Sequence, residues 1–169
     1  MMLDLGRILN QPGQSVPFQL DLDFSDMVFG GNCPASEPVH AAGTVRNEAG
    51  VLILNADLST TLHCVCDRCA SPFDRSFQQT VEAILVQEVA NEASENDDWT
   101  FLLQGDCVDL DDVLTTGFVL NMDSKFLCCE DCKGLCSTCG KDLNLGPCDC
   151  KPEPDPRLAV LRQLLTDKE

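Results

Sequence analysis

Six cysteines lie close together near the end of the chain, and their spacing constrains the fold more than any other feature. They form two C-x-x-C pairs and one C-x-C pair: Cys129 with Cys132, Cys136 with Cys139, and Cys148 with Cys150. Packing in a hydrophobic core does not explain this spacing, whereas thiolates in such an arrangement suit a tetrahedral site for a soft metal, most often zinc. The pattern therefore predicts a cysteine-rich, zinc-binding segment over residues 123–151.

The first predicted Zn²⁺ site combines a C-x-x-C pair with the C-x-C pair. Its ligands are Cys136, Cys139, Cys148 and Cys150. Gly140, directly after the C-x-x-C pair, is typical of a metal-binding knuckle, in which the backbone turns tightly and its amides face the sulfurs. The loop between the pairs, Gly140–Pro147, has eight residues and is long enough to turn back on itself.

A second Zn²⁺ site is predicted from the remaining C-x-x-C pair and a similar pair much earlier in the chain. Its ligands are Cys66, Cys69, Cys129 and Cys132. Such a site would connect the tail to the body of the protein. Because a four-sulfur site has no open position for water, both sites are expected to be structural and not catalytic.

Two other arrangements of the cysteines stay open. One metal ion could be shared by two adjacent pairs, Cys129, Cys132, Cys136 and Cys139, which would leave the earlier pair as a free dithiol. Cys64 and Cys128, which lie next to the predicted ligands, could also substitute for them.

The preceding residues, 1–122, are predicted to form an acidic, β-rich body. Apolar and polar residues alternate over 16–24, 39–45 and 52–62, and less regularly over 73–85, as expected of strands with one buried face. A short strand is predicted at 99–103, after an acidic loop at 88–98, and a helix from Asp109 to about Leu120. Within residues 152–169, three prolines predict a linker, and a stripe of apolar residues predicts a short C-terminal helix. The expected fold class is α+β: an antiparallel β-meander or partial barrel with one or two helices, a zinc-binding tail and a C-terminal helix.

The net charge of −17 is unevenly distributed. Residues 1–122 contain 19 Asp and Glu against 4 Lys and Arg, whereas residues 123–169 contain 9 against 7. Because binding to phosphate backbones depends on Lys and Arg, the acidic body is expected to prefer a basic protein to RNA. If RNA is bound, the candidate contacts lie in the tail: Lys125, Lys133, Lys141, Lys151, Arg157 and Arg162.

Several functional classes are disfavoured by the sequence. It contains no nucleophile elbow, phosphate-binding loop or Ser/His/Asp set, and its two histidines and lack of tyrosine make acid–base catalysis difficult. We therefore expect neither an enzyme nor a small-molecule substrate. Without a signal peptide or an apolar stretch of membrane-spanning length, we expect a cytoplasmic protein that does not bind membranes. The reducing compartment favours metal binding over disulfides at the C-x-x-C pairs.

The order of the motifs resembles the YceD family, whose members are bacterial with relatives in plastids. The motifs are C-x-R-C at Cys66–Cys69, an acidic helix start at 109–112, C-x-x-C-K-G-L-C-x-x-C-G-x-x-L-N from Cys129 to Asn144, the closing C-x-C, and D-P-R-L at 155–158. The resemblance implies a non-enzymatic factor for accumulation of large-subunit (23S) rRNA and ribosome biogenesis. The partner would be that rRNA or a basic ribosomal protein of the large subunit.

A redox-responsive zinc or thiol switch is the alternative hypothesis. Arg68 next to Cys69, and Lys133 next to Cys132, carry positive charges that would lower thiol pKa values and favour oxidation.

Overall fold

The computed structural model describes residues 1–87 and 99–150. The chain divides into two compact units. Unit 1 contains Met1–Cys64 and Pro72–Phe126, and unit 2 contains Val65–Ser71 together with the chain from Leu127 onwards. The segment Val65–Ser71 therefore belongs to the same compact unit as the cysteine-rich tail.

Unit 1 is built around an open five-stranded sheet with the strand order β2-β3-β4-β5-β6. These strands are Ser15–Leu22, Val39–Glu48, Val51–Val65, Pro72–Val86 and Thr100–Leu102. Strands β2, β3 and β4 are antiparallel neighbours, as the alternating pattern predicted, whereas β6 runs parallel to β5. A separate two-stranded sheet pairs β1, Met2–Asp4, with β7, Cys107–Asp109.

The hairpin between β3 and β4 is fixed by a tight turn and a buried amide. Ala49 and Gly50 both have positive φ angles, 53° and 97°, which suits a two-residue turn between antiparallel strands. Asn47, fully buried beside this turn, donates from Nδ2 to the carbonyl groups of Ile8 and Leu9 and accepts at Oδ1 from the Gly50 amide. The N-terminal segment is thus held against the sheet by a buried polar side chain whose hydrogen bonds are satisfied.

Helix α1, Leu110–Leu120, covers the sheet as expected from its spacing of apolar residues. Asp109 is its N-cap and accepts a hydrogen bond from the Asp111 amide at 3.2 Å, which confirms the predicted helix start. The buried ring of Phe118 lies 4.6 Å from the ring of Phe24 and 5.1 Å from that of Phe77, measured between centroids. Gly117 allows the helix to approach β5, since a Cβ there would lie 2.6 Å from the Val81 side chain.

The predicted fold class is confirmed only in part. The described residues are mostly β with one helix, so α+β overstates the helical content. The sheet is open, because the strands at its ends, β2 and β6, do not pair with each other. Residues 88–98 and the predicted linker and helix at 152–169 lie outside the described residues. Across residues 1–87 and 99–150, no helix has both the length and the apolar character needed to cross a membrane.

Candidate metal centres

Unit 2 brings together four thiols of the tail, hereafter the first cluster. These are Cys136, Cys139, Cys148 and Cys150, and all of their sulfur atoms lie within 4.8 Å of one another. The Gly140–Pro147 loop reverses the chain between the two pairs, as the sequence predicted. The Leu143 amide donates to the Gly134 carbonyl at 2.9 Å, and the Lys141 ammonium donates to the Pro147 carbonyl at 2.7 Å. The loop is thus held at both ends and along its length.

Four other thiols of unit 2 form the second cluster. These are Cys66, Cys69, Cys128 and Cys132, again with all sulfur atoms within 4.8 Å of one another. The sequence interpretation placed Cys129 in this set, but the structure groups Cys128 with the other three and leaves Cys129 exposed outside both clusters. The Cys132 amide donates to the Cys129 carbonyl at 3.2 Å, which closes a tight turn. The Cys128 sulfur lies within 4.8 Å of the Cys132 sulfur, four residues later in the chain.

The sulfur separations in the second cluster match those of a metal site and not those of disulfides. Cys66 Sγ lies 3.8 Å from Cys132 Sγ, and Cys69 Sγ lies 3.7 Å from Cys128 Sγ. A disulfide would require about 2.05 Å. A tetrahedral ion with metal–sulfur bonds of about 2.3 Å separates its ligands by about 3.8 Å. The donor atoms therefore fit a closed four-sulfur metal site.

The two C-x-x-C turns have the same backbone geometry. In the first cluster, the Gly140 amide donates to the Cys136 carbonyl, and the Cys136 amide donates to the Lys141 carbonyl, both at 2.9 Å. In the second cluster, the Ala70 amide donates to the Cys66 carbonyl, and the Cys66 amide donates to the Ser71 carbonyl, also at 2.9 Å. The residue after each pair has a positive φ, 71° at Gly140 and 56° at Ala70. Both turns are knuckles, although only the first has the glycine that such a backbone favours.

Backbone amides stabilise thiolates in the second cluster. Burial is the largest single influence on Cys66 and opposes ionisation. The amides of Cys128, Cys69 and Arg68 together outweigh it and lower the pKa of Cys66 to about 6. The side-chain amide of Asn144 is the main cause of a lowered pKa at Cys132. Burial and hydrogen bonds to the other thiols raise the pKa of Cys128.

In the first cluster, too, one thiol has a lowered pKa and another has a raised pKa. Amides of Cys139 and Thr138 lower the pKa of Cys136 to about 6. The hydrogen bond with the Cys139 thiol, together with burial, raises the pKa of Cys150 to about 12. Each cluster therefore has a thiol with a lowered pKa beside a thiol with a raised pKa. A divalent cation would favour the deprotonated form of all four thiols, because the thiolate is the form of cysteine that binds metal.

The Arg68 side chain, which was expected to lower the pKa of the neighbouring Cys69 thiol, contacts backbone groups of the tail. Its guanidinium donates to the carbonyl groups of Cys132 and Glu130 at 2.9 and 3.2 Å. Its own carbonyl accepts from the Leu135 amide at 3.0 Å. Arg68 therefore joins the knuckle of residues 66–70 to the tail through backbone groups, and its guanidinium donates to carbonyl oxygens of the tail.

A family model described as "Large ribosomal RNA subunit accumulation protein YceD" matches residues 54–165. The chain belongs to the YceD family. The match includes both clusters and about two thirds of the chain, and it confirms the resemblance seen in the motif order. No curated protein and no solved structure shows a significant match to this YceD chain.

Proposed function

We propose that this YceD-family protein is a non-enzymatic factor for accumulation of large-subunit (23S) rRNA, acting during ribosome assembly in the cytoplasm. The family match over residues 54–165 is the observation that carries the proposal. At the two thiol clusters a structural role is supported over a catalytic one, since a closed four-sulfur site leaves no position for substrate or water.

Both clusters are proposed to hold Zn²⁺ as a structural ion. Four soft thiolate donors at tetrahedral separations favour zinc among the common divalent metals. The ions would stabilise unit 2, because metal binding that requires the folded arrangement of ligands contributes directly to folding.

The proposed contact is with the rRNA or with a basic ribosomal protein of the large subunit. Residues 1–122 contain 19 acidic and 4 basic residues, whereas residues 123–169 contain 9 and 7. A strongly acidic surface attracts a basic protein and repels phosphate groups. Contact with RNA would therefore involve unit 2, where Lys133 and Lys141 are exposed beside the clusters.

Depletion of the protein from cells tests the proposed function. We expect a selective loss of large ribosomal subunits and 23S rRNA, with small subunits and their rRNA retained. The measurement is the ribosome sedimentation profile together with quantified rRNA from both subunits. A normal profile and normal 23S rRNA after depletion would contradict the proposal.

Charge reversal distinguishes the two classes of partner. If unit 2 contacts RNA, Lys133→Glu combined with Lys141→Glu should reduce co-sedimentation with large-subunit particles by about 10-fold, because each lost phosphate contact weakens binding and adds repulsion. The control is Arg46→Glu in unit 1, which makes the same kind of charge change on an exposed strand residue. Unchanged co-sedimentation of the double variant would exclude RNA contact through these lysines and favour the basic protein partner.

Zinc content under mild oxidation separates this proposal from the thiol switch. Release of zinc coupled to reversible disulfide formation would favour the switch, whereas zinc that stays bound supports the structural role.

A further inference from the structure

Asn144 bridges the two cysteine clusters of unit 2. Its side-chain Nδ2 donates to Cys132 Sγ of the second cluster at 3.4 Å. Its Oδ1 accepts from the Lys133 amide, directly after that ligand, at 2.8 Å. Yet Asn144 belongs to the loop Gly140–Pro147, which connects Cys139 and Cys148 of the first cluster. A residue positioned by one cluster thus contacts a ligand of the other.

The conformation of the Asn144 side chain is set by its own loop. Asp142 Oδ1 accepts hydrogen bonds from both the backbone amide and the Nδ2 of Asn144, each at 2.8 Å. Asp142 in turn pairs with Leu135 in an isolated β-bridge. These contacts hold the amide towards Cys132, and a metal ion bound by the first cluster would anchor both ends of the loop. Without that ion, the loop would lose the constraint at its ends and ordering it would cost more conformational entropy.

We propose that Asn144 is a positioning residue that couples the two metal sites, so that occupation of the first cluster raises the metal affinity of the second. An N–H donor directed at a ligand sulfur stabilises the thiolate that binds the metal. The coupling is reciprocal, because each ion must favour the other by the same factor. This inference rests on the proposed metal binding by both clusters.

The test measures the Zn²⁺ affinity of the second cluster in the full chain by competition with a chelator. The first cluster is disabled by Cys148→Ser with Cys150→Ser, both with and without Asn144→Ala. Loss of a hydrogen bond to a metal ligand weakens metal binding by about 10-fold or more. Disabling the first cluster and Asn144→Ala should therefore each weaken zinc binding at the second cluster by about 10-fold or more. In combination they should weaken the second cluster no further than either change alone, since both remove the same contact.

Two further variants in the same loop control for general damage. Asn144→Asp keeps the acceptor for the Lys133 amide but removes the donor to sulfur, and should weaken zinc binding at least as much as Asn144→Ala. Leu145→Ala changes a side chain that is 85% exposed and should leave the affinity unchanged. The coupling is overturned if the second cluster binds zinc equally well with the first cluster intact or disabled. Absence of zinc from both clusters would instead overturn the metal proposal itself, and the coupling with it.

Discussion

Cys128→Ser is expected to remove one of two zinc ions per chain, whereas Cys129→Ser is expected to leave both. The two cysteines are adjacent, but only the Cys128 sulfur lies with those of Cys66, Cys69 and Cys132. A serine hydroxyl is a poor replacement for a thiolate, so a site reduced to three sulfur ligands should lose its ion during dialysis against a chelator. The Cys129 sulfur lies 3.9 Å from Cys128 Sγ and outside the cluster.

The measurement is the metal content per chain, determined by elemental analysis of protein expressed without added zinc. Cys136→Ser should also lower the content from two ions to one, through the first cluster, and combination with Cys128→Ser should leave none. Cys128→Ser and Cys129→Ser each replace one thiol with a hydroxyl, one residue apart. Any effect of losing a thiol as such is therefore the same in both variants. Equal loss of zinc in both variants, or loss in Cys129→Ser alone, would contradict the arrangement of the second cluster.

The first cluster could be predicted from sequence because its ligands are local. A knuckle, a loop of eight residues and a C-x-C pair fix which sulfurs can meet, and the structure brings those four together. The glycine after the knuckle added a second local signal, since residue 140 has a φ of 71°. The four sulfurs lie within 4.8 Å of one another, and metal binding by them stays a prediction.

The second cluster could be predicted only in part because its ligands come from two distant segments. Two adjacent cysteines, Cys128 and Cys129, offer both a C-x3-C and a C-x-x-C pair with Cys132. The familiar spacing favoured Cys129, but the local turn places Cys128 towards the knuckle instead. The knuckle of residues 66–70 was also harder to recognise, since Ala70 occupies the position that glycine usually takes.

The sheet shows the same difference between local and distant information. Alternation of apolar residues predicted the four long strands of unit 1, because period-two patterning is local. It could not predict that β6 pairs in parallel with β5, because strand direction depends on how the chain between them crosses. Nor could it predict whether the sheet closes, since closure depends on whether the end strands meet and not on the pattern within any strand.

Gly134→Ala is expected to weaken zinc binding at the second cluster by about 10-fold or more. Gly134 has a φ of 72°, and a Cβ there would lie 2.9 Å from the Arg68 carbonyl oxygen. That oxygen belongs to the knuckle of the second cluster and accepts from the Leu135 amide. The added methyl group would push the tail away from the knuckle, and overpacking of this kind costs about 1–3 kcal/mol. A change of about 1.4 kcal/mol corresponds to a tenfold loss of affinity.

Gly140→Ala is the matched control, because it separates steric overlap from backbone strain. Gly140 has nearly the same φ, 71°, but a Cβ there would meet no atom within 4 Å. Both substitutions place alanine in the left-handed region, so both variants carry the same backbone strain of about 1–2 kcal/mol. Ala70 shows that a knuckle of this chain accommodates alanine at the equivalent position, with a φ of 56°. Chelator competition on each variant should therefore show the second cluster weakened by Gly134→Ala and, as long as the first cluster stays occupied, little changed by Gly140→Ala. Equal effects on the second cluster would mean that the close approach of residue 134 to Arg68 does not hold its ligands together.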